Sequence, residues 1–197
     1  MDSWINIWSS LLGGVIGAGA TIFSVWLSHY LQKRGKIKLY IKHVYSPVNE
    51  KPWGFYQEGT DSVIQVPLWV DLINTAGVSK VVRNLNIIAY FSGERLTEFT
   101  QIQYQSSLNQ STRSFGNDGS YSFVIPPNSV MRERVMFMLK LSELVPGNTS
   151  FDKLCLSYFD EFEKEHIYYV ANIESCWKFR SFSRPREWIK LTNDIIK

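Results

Sequence analysis

The chain has 197 residues, 45% of them hydrophobic and 20% charged, with a formal charge of +3. These proportions exclude a disordered or fibrous chain, and two cysteines exclude a disulfide-stapled scaffold. The positive charge does not describe a nucleic-acid-coating body: residues 32–43 carry five basic residues and no acid, whereas residues 44–197 hold 16 basic residues against 17 acidic ones.

Residues 4–31, WINIWSSLLGGVIGAGATIFSVWLSHYL, form an uncharged run with six glycines or alanines at its centre. As a helix it would extend roughly 42 Å at about 1.5 Å per residue, close to a bilayer with its headgroups. Trp8 and Trp26 would then stand about 27 Å apart, one at each edge of the ~30 Å hydrocarbon layer, with Trp4 and Tyr30 reinforcing the two belts. A transmembrane helix is the expectation. Asn6, Ser10, Gly13, Gly17, Thr21, Ser24 and Ser28 recur at steps of three and four and so share one face. Small residues allow close helix approach in lipid, which makes this seam a candidate for self-association or for lining a pore. A monomeric anchor is the plainer alternative, because Gly and Ser are common in membrane helices.

Asp2 alone carries side-chain charge before the run, while Lys33, Arg34, Lys36, Lys38 and Lys42 follow it. The positive-inside rule predicts an exterior N-terminus and a cytoplasmic remainder. A cleaved signal peptide is disfavoured by the missing basic n-region and the length of the apolar core. The expected organisation is a short exterior tail (1–3), the helix (4–31), a basic junction (32–35) and a cytoplasmic β domain (36–197). Cys155 and Cys176 would stay reduced there.

From residue 36 the pattern changes to period two. Strands are expected at 36–44, 63–74, 80–91, 99–104, 120–125, 131–141, 151–159, 166–173 and 176–182, separated by turn-rich stretches such as NTAGVS, SGER, GNDG and PGNTS. This predicts an antiparallel β-sandwich or barrel of eight or nine strands. Pro67 is expected to mark an edge or a bulge, and residues 105–120, QSSLNQSTRSFGNDGS, a mobile loop or lid. The segment REWIKLTNDIIK (186–197) reads as a short C-terminal helix with Trp188, Leu191 and Ile195 on one face. The first strand begins a few residues after the helix, so packing changes in the β domain can be transmitted to it.

Catalytic constellations are absent from the sequence. No phosphate loop, nucleophile elbow, CxxC pair or paired-histidine metal spacing occurs, so no enzyme, cofactor or metal is expected. The acidic turn DEFEKEH (160–166) lacks the fixed ligand pattern of a calcium loop and reads as a solvated hairpin tip. The best ligand-binding candidate is CWKFRSFSRPREWIK, in which Lys178, Arg180, Arg184 and Arg186 interleave with Trp177 and Trp188. Arginine forks suit phosphates and aromatic rings suit bases, which points to a nucleotide or a short single strand. A half-buried strand gives the same alternation, and anchoring at anionic lipid headgroups is a further alternative.

The run 4–31 followed directly by a β-rich remainder resembles, in architecture alone, the small membrane effectors of bacterial anti-phage systems. That resemblance implies a bacterial inner-membrane location and a β domain that senses a signal and controls assembly of its helices into a homo-oligomeric pore or channel. A non-conducting, membrane-anchored adaptor or sensor for a protein or nucleotide partner is the alternative.

Overall fold

A computed structural model of the chain describes residues 2–107, 110–115 and 121–192, with side chains described for 14–103 and 121–192. Helix α1 (Asp2–Lys33) is continuous over 32 residues. No proline interrupts it, and 32 residues reach roughly 48 Å at the α-helical rise. Its segment Gly14–Lys33 has a mean hydropathy of 1.2 and none of it is buried, so by length and composition it is long and apolar enough to cross a membrane.

The rest is antiparallel β-structure. In chain order the strands are β1 (Ile37–His43), β2 (Gly54–Glu58), β3 (Asp61–Asn74), β4 (Lys80–Phe91), β5 (Glu94–Glu98), β6 (Thr100–Ser107), β7 (Gln110–Phe115), β8 (Phe123–Ile125), β9 (Val130–Lys140), β10 (Lys153–Phe159), β11 (Glu165–Asn172), β12 (Arg180–Ser181) and β13 (Ile189–Lys190). One sheet runs β12-β2-β3-β9-β6-β7, with β1 alongside β3 and β13 alongside β1. The other runs β11-β10-β4-β5, with β8 on β4, and neither sheet closes on itself. Alternation explains why they share a core. Leu39, Ile41, Ile64, Val66 and Leu68 from the first sheet meet Leu85, Ile87, Leu154 and Leu156 from the second in one buried cluster.

β3 organises the first sheet. Its early half pairs with β2 and its late half with β1 along the same edge, while β9 covers the other edge. Pro67 therefore lies inside a central strand rather than at an edge or bulge. The Pro67 carbonyl accepts from Val44 N at 3.2 Å, so its missing N–H faces the place where β1 ends and β2 has not begun. No ladder bond is lost there.

Three further expectations are corrected. Residues 186–192 are not helical: β13 pairs with β1 through Tyr40↔Lys190 and Ile41↔Ile189, and Leu191 N donates to Leu39 O at 2.9 Å. The free edge of β1 takes the segment, burying Leu191 as a helix would have done. Residues 193–197, including Ile195, lie outside the described residues. The expected loop at 105–120 is largely a hairpin, with β6 paired to β7 from Ile102↔Phe115 to Ser107↔Gln110. Residues 108–109 and 116–120 of that stretch lie outside the described ones. In place of eight or nine strands there are thirteen strand segments among the described residues.

Candidate functional sites at the helix joint and on the basic sheet face

The joint between helix and β domain is short and hydrogen-bonded. Three residues separate Lys33 from Ile37. The β3–β4 loop folds under the helix end, where Gly77 N donates to Gln32 O at 2.8 Å and so satisfies one of the orphan carbonyls of the last turn. Lys36 N donates to Thr75 Oγ1 at 3.0 Å, and Thr75 Oγ1 donates to Lys36 O at 2.9 Å. Gly35 presses on this loop so closely that a Cβ would collide with Ala76 N, a backbone atom that cannot swing aside. At Gly77 an added Cβ would meet Gln32 Cγ at 3.1 Å, Cβ at 3.2 Å and backbone Cα at 3.3 Å, tighter than an ordinary van der Waals contact.

Buried Asn74 holds the loop from below. Its Nδ2 lies 2.8 Å from Val78 O, 2.9 Å from Pro126 O and 3.1 Å from Ile125 O, and its Oδ1 accepts from Ala76 N at 2.9 Å. One side chain thus ties the helix-capping loop to the β8–β9 connection.

On the helix, Gly17, Thr21, Ser24 and Ser28 are exposed. The Thr21 hydroxyl donates to Gly17 O at 2.9 Å and that of Ser24 to Ala20 O at 2.8 Å, so both are satisfied within their own helix. The seam residues Asn6, Ser10 and Gly13, and Trp4 and Trp8, lie on the helical backbone but outside the described side chains. At the other end an aromatic ladder forms: Trp26 stacks on Tyr30 at 5.7 Å, and the Arg34 guanidinium lies 4.8 Å over the Tyr30 ring. Lys33 and Lys36 are exposed around it, and Lys38 is half-buried opposite Ile73.

The C-terminal segment divides into two parts. Trp177 is a packing residue: its Nε1 donates to Thr149 O at 2.7 Å, and its ring meets Phe55 and Phe151 edge-on at 5.5 and 5.8 Å. Lys178 is exposed, and Arg180 sits over Phe182 at 5.1 Å on the β2 edge. Trp53 locks the segment down, donating from Nε1 to Ser183 O at 2.9 Å, while Phe182 N donates to Trp53 O at 3.0 Å. The strap beyond Ser183 then crosses to the outer face of β1, β3 and β9.

There Arg184 and Arg186 meet residues that stand far from them in the chain. Lys42, Trp69 and Arg134 form one cross-strand row, Lys42↔Trp69 and Trp69↔Arg134. With Val44, Tyr45 and Pro185 they line an open groove of about 620 Å³ that, among the described residues, contains four cations and no carboxylate. Trp188 lies beside it, 6.5 Å from Trp69, and Arg132 covers Trp188 at 4.6 Å while bonding Asp71 through two nitrogens at 2.7 and 2.8 Å. A second, larger cavity of about 1080 Å³ adjoins it through Tyr45 and Arg134, and Ile102, Tyr121 and Met136 contribute to its lining.

Charge is arranged differently at the β10–β11 turn. Glu161 pairs with Lys80 at 2.6 Å, Glu163 with Arg83, and Glu165 with Arg95 at 3.0 Å. Asp160 accepts from Phe162 N and Lys164 N, and its other oxygen lies 2.7 Å from His166 Nε2. Partial burial pushes its carboxyl up, but the bonds from His166 and the two amides outweigh this and hold it below the ordinary value. The acids are thus drawn to separate cations. Among the described residues no group of three or more His, Cys, Asp or Glu side chains could hold a metal ion.

No family model matches this chain, and no curated protein matches it. A solved structure described as the X-ray structure of Northeast Structural Genomics Consortium target SoR45 is similar over 73% of this chain and 87% of that one, at 11% identity and a TM-score of 0.33. At that level the likeness bears on neither fold nor function.

Proposed function

We propose that the chain is a single-pass protein of the bacterial inner membrane, N-terminus outside, which assembles through its helix into a pore or channel under the control of its cytoplasmic β domain. No catalytic step belongs to this reading. The observation that carries it is the joint. Gly77 caps the helix, Gly35 leaves no room for slack and Asn74 fastens the capping loop, so a shift of the β domain moves the helix with it. A domain needing only a tether would be served by a flexible linker. The Trp26–Tyr30–Arg34 ladder has the composition of a membrane-interface belt and supports the placement of that helix end. The layout resembles that of membrane effectors in anti-phage systems.

The intrahelical bonds of Thr21 and Ser24 favour a second reading, a non-conducting anchor, because these hydroxyls need neither a lumen nor a neighbour. Gly17 separates the two. A Cβ there meets nothing within 4 Å in the single chain, so Gly17→Leu leaves the monomer intact and acts only on helix approach. The expected result is loss of the discrete oligomer in mass photometry of the full-length protein, with loss of planar-bilayer conductance. An oligomer that conducts unchanged in the Gly17→Leu variant rules out the seam. Activity retained after replacement of the helix by a poly-Leu anchor establishes the anchor reading instead.

A further inference from the structure

We infer that the groove between Lys42, Tyr45, Trp69, Arg134, Arg184 and Arg186 binds a ligand carrying more than one phosphate charge. Four cations converge on one concavity of about 620 Å³ whose lining, among the described residues, contains no acid. Lys80, Arg83, Arg95 and Arg132, by contrast, each hold a carboxylate. Among the described residues Lys42, Arg134, Arg184 and Arg186 have no carboxylate within ion-pair distance. These side chains are exposed or half-buried, so water and salt screen their mutual repulsion in part, and a multivalent anion lying between them would gain from all four charges at once.

Two of the guanidinium groups are also held in place without losing their charge. Arg134 Nη2 donates to Tyr45 O at 2.8 Å, and Arg184 lies 4.2 Å over the Tyr45 ring. The same tyrosine therefore positions both forks, leaving their remaining N–H groups for a ligand. A single carboxylate would neutralise one of four charges. Phosphate oxygens accept paired N–H donors from several arginines at once, and the lysine adds a point charge. Exposed edges of Tyr45 and Trp69 suit an apolar or ring-bearing portion of the same molecule.

Two sources offer this chemistry, a soluble phosphate compound and a phospholipid headgroup. Binding itself does not depend on pore formation; control of the helix by the groove does rest on the membrane-effector reading. β1 and β3, which supply Lys42 and Trp69, are the strands that lead into the joint.

The test uses full-length protein in phosphatidylcholine nanodiscs titrated calorimetrically with inorganic pyrophosphate. Saturable binding at one site per chain is expected, weakened at least tenfold by Arg134→Gln with Arg184→Gln and unchanged by Arg83→Gln, which alters a paired cation elsewhere. Lys42→Gln provides a milder loss, and thermal melts verify folding of each variant. The titration is repeated in discs containing cardiolipin, whose headgroup carries two phosphates. Binding retained there assigns a soluble ligand, whereas binding lost there through competition assigns the headgroup. No saturable binding in phosphatidylcholine, or binding that survives the double substitution, overturns the inference. Pyrophosphate binding that leaves helix association unchanged keeps the site and rejects its control of the helix.

Discussion

At the scale of single residues, His43 shows what burial does to a titratable group. The period-two pattern of β1 turns it inward, where it is 3% exposed, stacked 4.4 Å from Trp53, with Nδ1 lacking a partner among the described residues. Desolvation lowers its pKa from 6.5 to about 4. The neutral ring is the folded form, so this contribution to stability is complete above about pH 6.5 and disappears as the pH falls towards 4. At 1.36 kcal/mol per unit the loss is roughly 3 kcal/mol. His43→Phe keeps an aromatic ring against Trp53, and the orphan nitrogen means that no hydrogen bond is sacrificed. Thermal melts of the full-length protein at pH 7 and pH 4.5 should show the variant losing much less stability than the parent. Equal losses would place the acid sensitivity elsewhere.

Among the elements, the β6–β9 pairing depends on a side chain from outside either strand. The ladder matches Thr100 with Met138 and Gln101 with Phe137, then stops. The Tyr121 hydroxyl takes over, accepting from Met136 N at 2.9 Å and donating to Ile102 O. Burial raises this phenol to about 12, so it remains a donor at any physiological pH. Tyr121→Phe leaves the buried Met136 amide without its acceptor, at a cost of about 1–3 kcal/mol. Chemical denaturation should show a lower midpoint at unchanged m-value; a midpoint within error of the parent would mean that the two strands relax to pair directly.

The same elements show what the sequence could disclose. β1 is legible because period-two burial is a local property, and β3, β4, β9 and β10 because continuous apolar runs bounded by turn residues are local too, though in these strands both faces are buried over several residues. β5, ERLTE, and β7, QSTRSF, are not, since their residues are mostly polar and partners in other strands specify them. Trp188, Leu191 and Ile195 have helical spacing, yet the open edge of β1 outweighs it for 189–190. The groove is half visible. Arg184 and Arg186 stand in a conspicuous run, whereas Lys42, Trp69 and Arg134 come from three strands and meet only through register. Trp177 is prominent in the same run, but its ring is spent on Phe55 and Phe151.

For the whole molecule, the groove and the joint share two strands, the groove lying at the far end of β1 and midway along β3. Lys42 precedes the end of β1 as Lys36 precedes its start, and β3 runs from Trp69 to the loop that caps the helix. Six residues of strand extend about 20 Å, so the two sites are linked by a paired ribbon rather than by loops. Coupling through such a ribbon requires a stiff connection at Gly35. Inserting six Gly-Ser residues after Arg34 would leave the seam and the groove untouched while adding chain entropy that the single Gly77–Gln32 bond, worth about 0.5–1.5 kcal/mol, does not offset. The expected protein still oligomerises and still binds pyrophosphate, but its helix-to-helix distances, read by energy transfer between labels at the helix ends in nanodiscs, no longer respond to the ligand. A response of full size in the insertion variant would show that the β domains act on one another directly, and that the close joint serves stability instead of transmission.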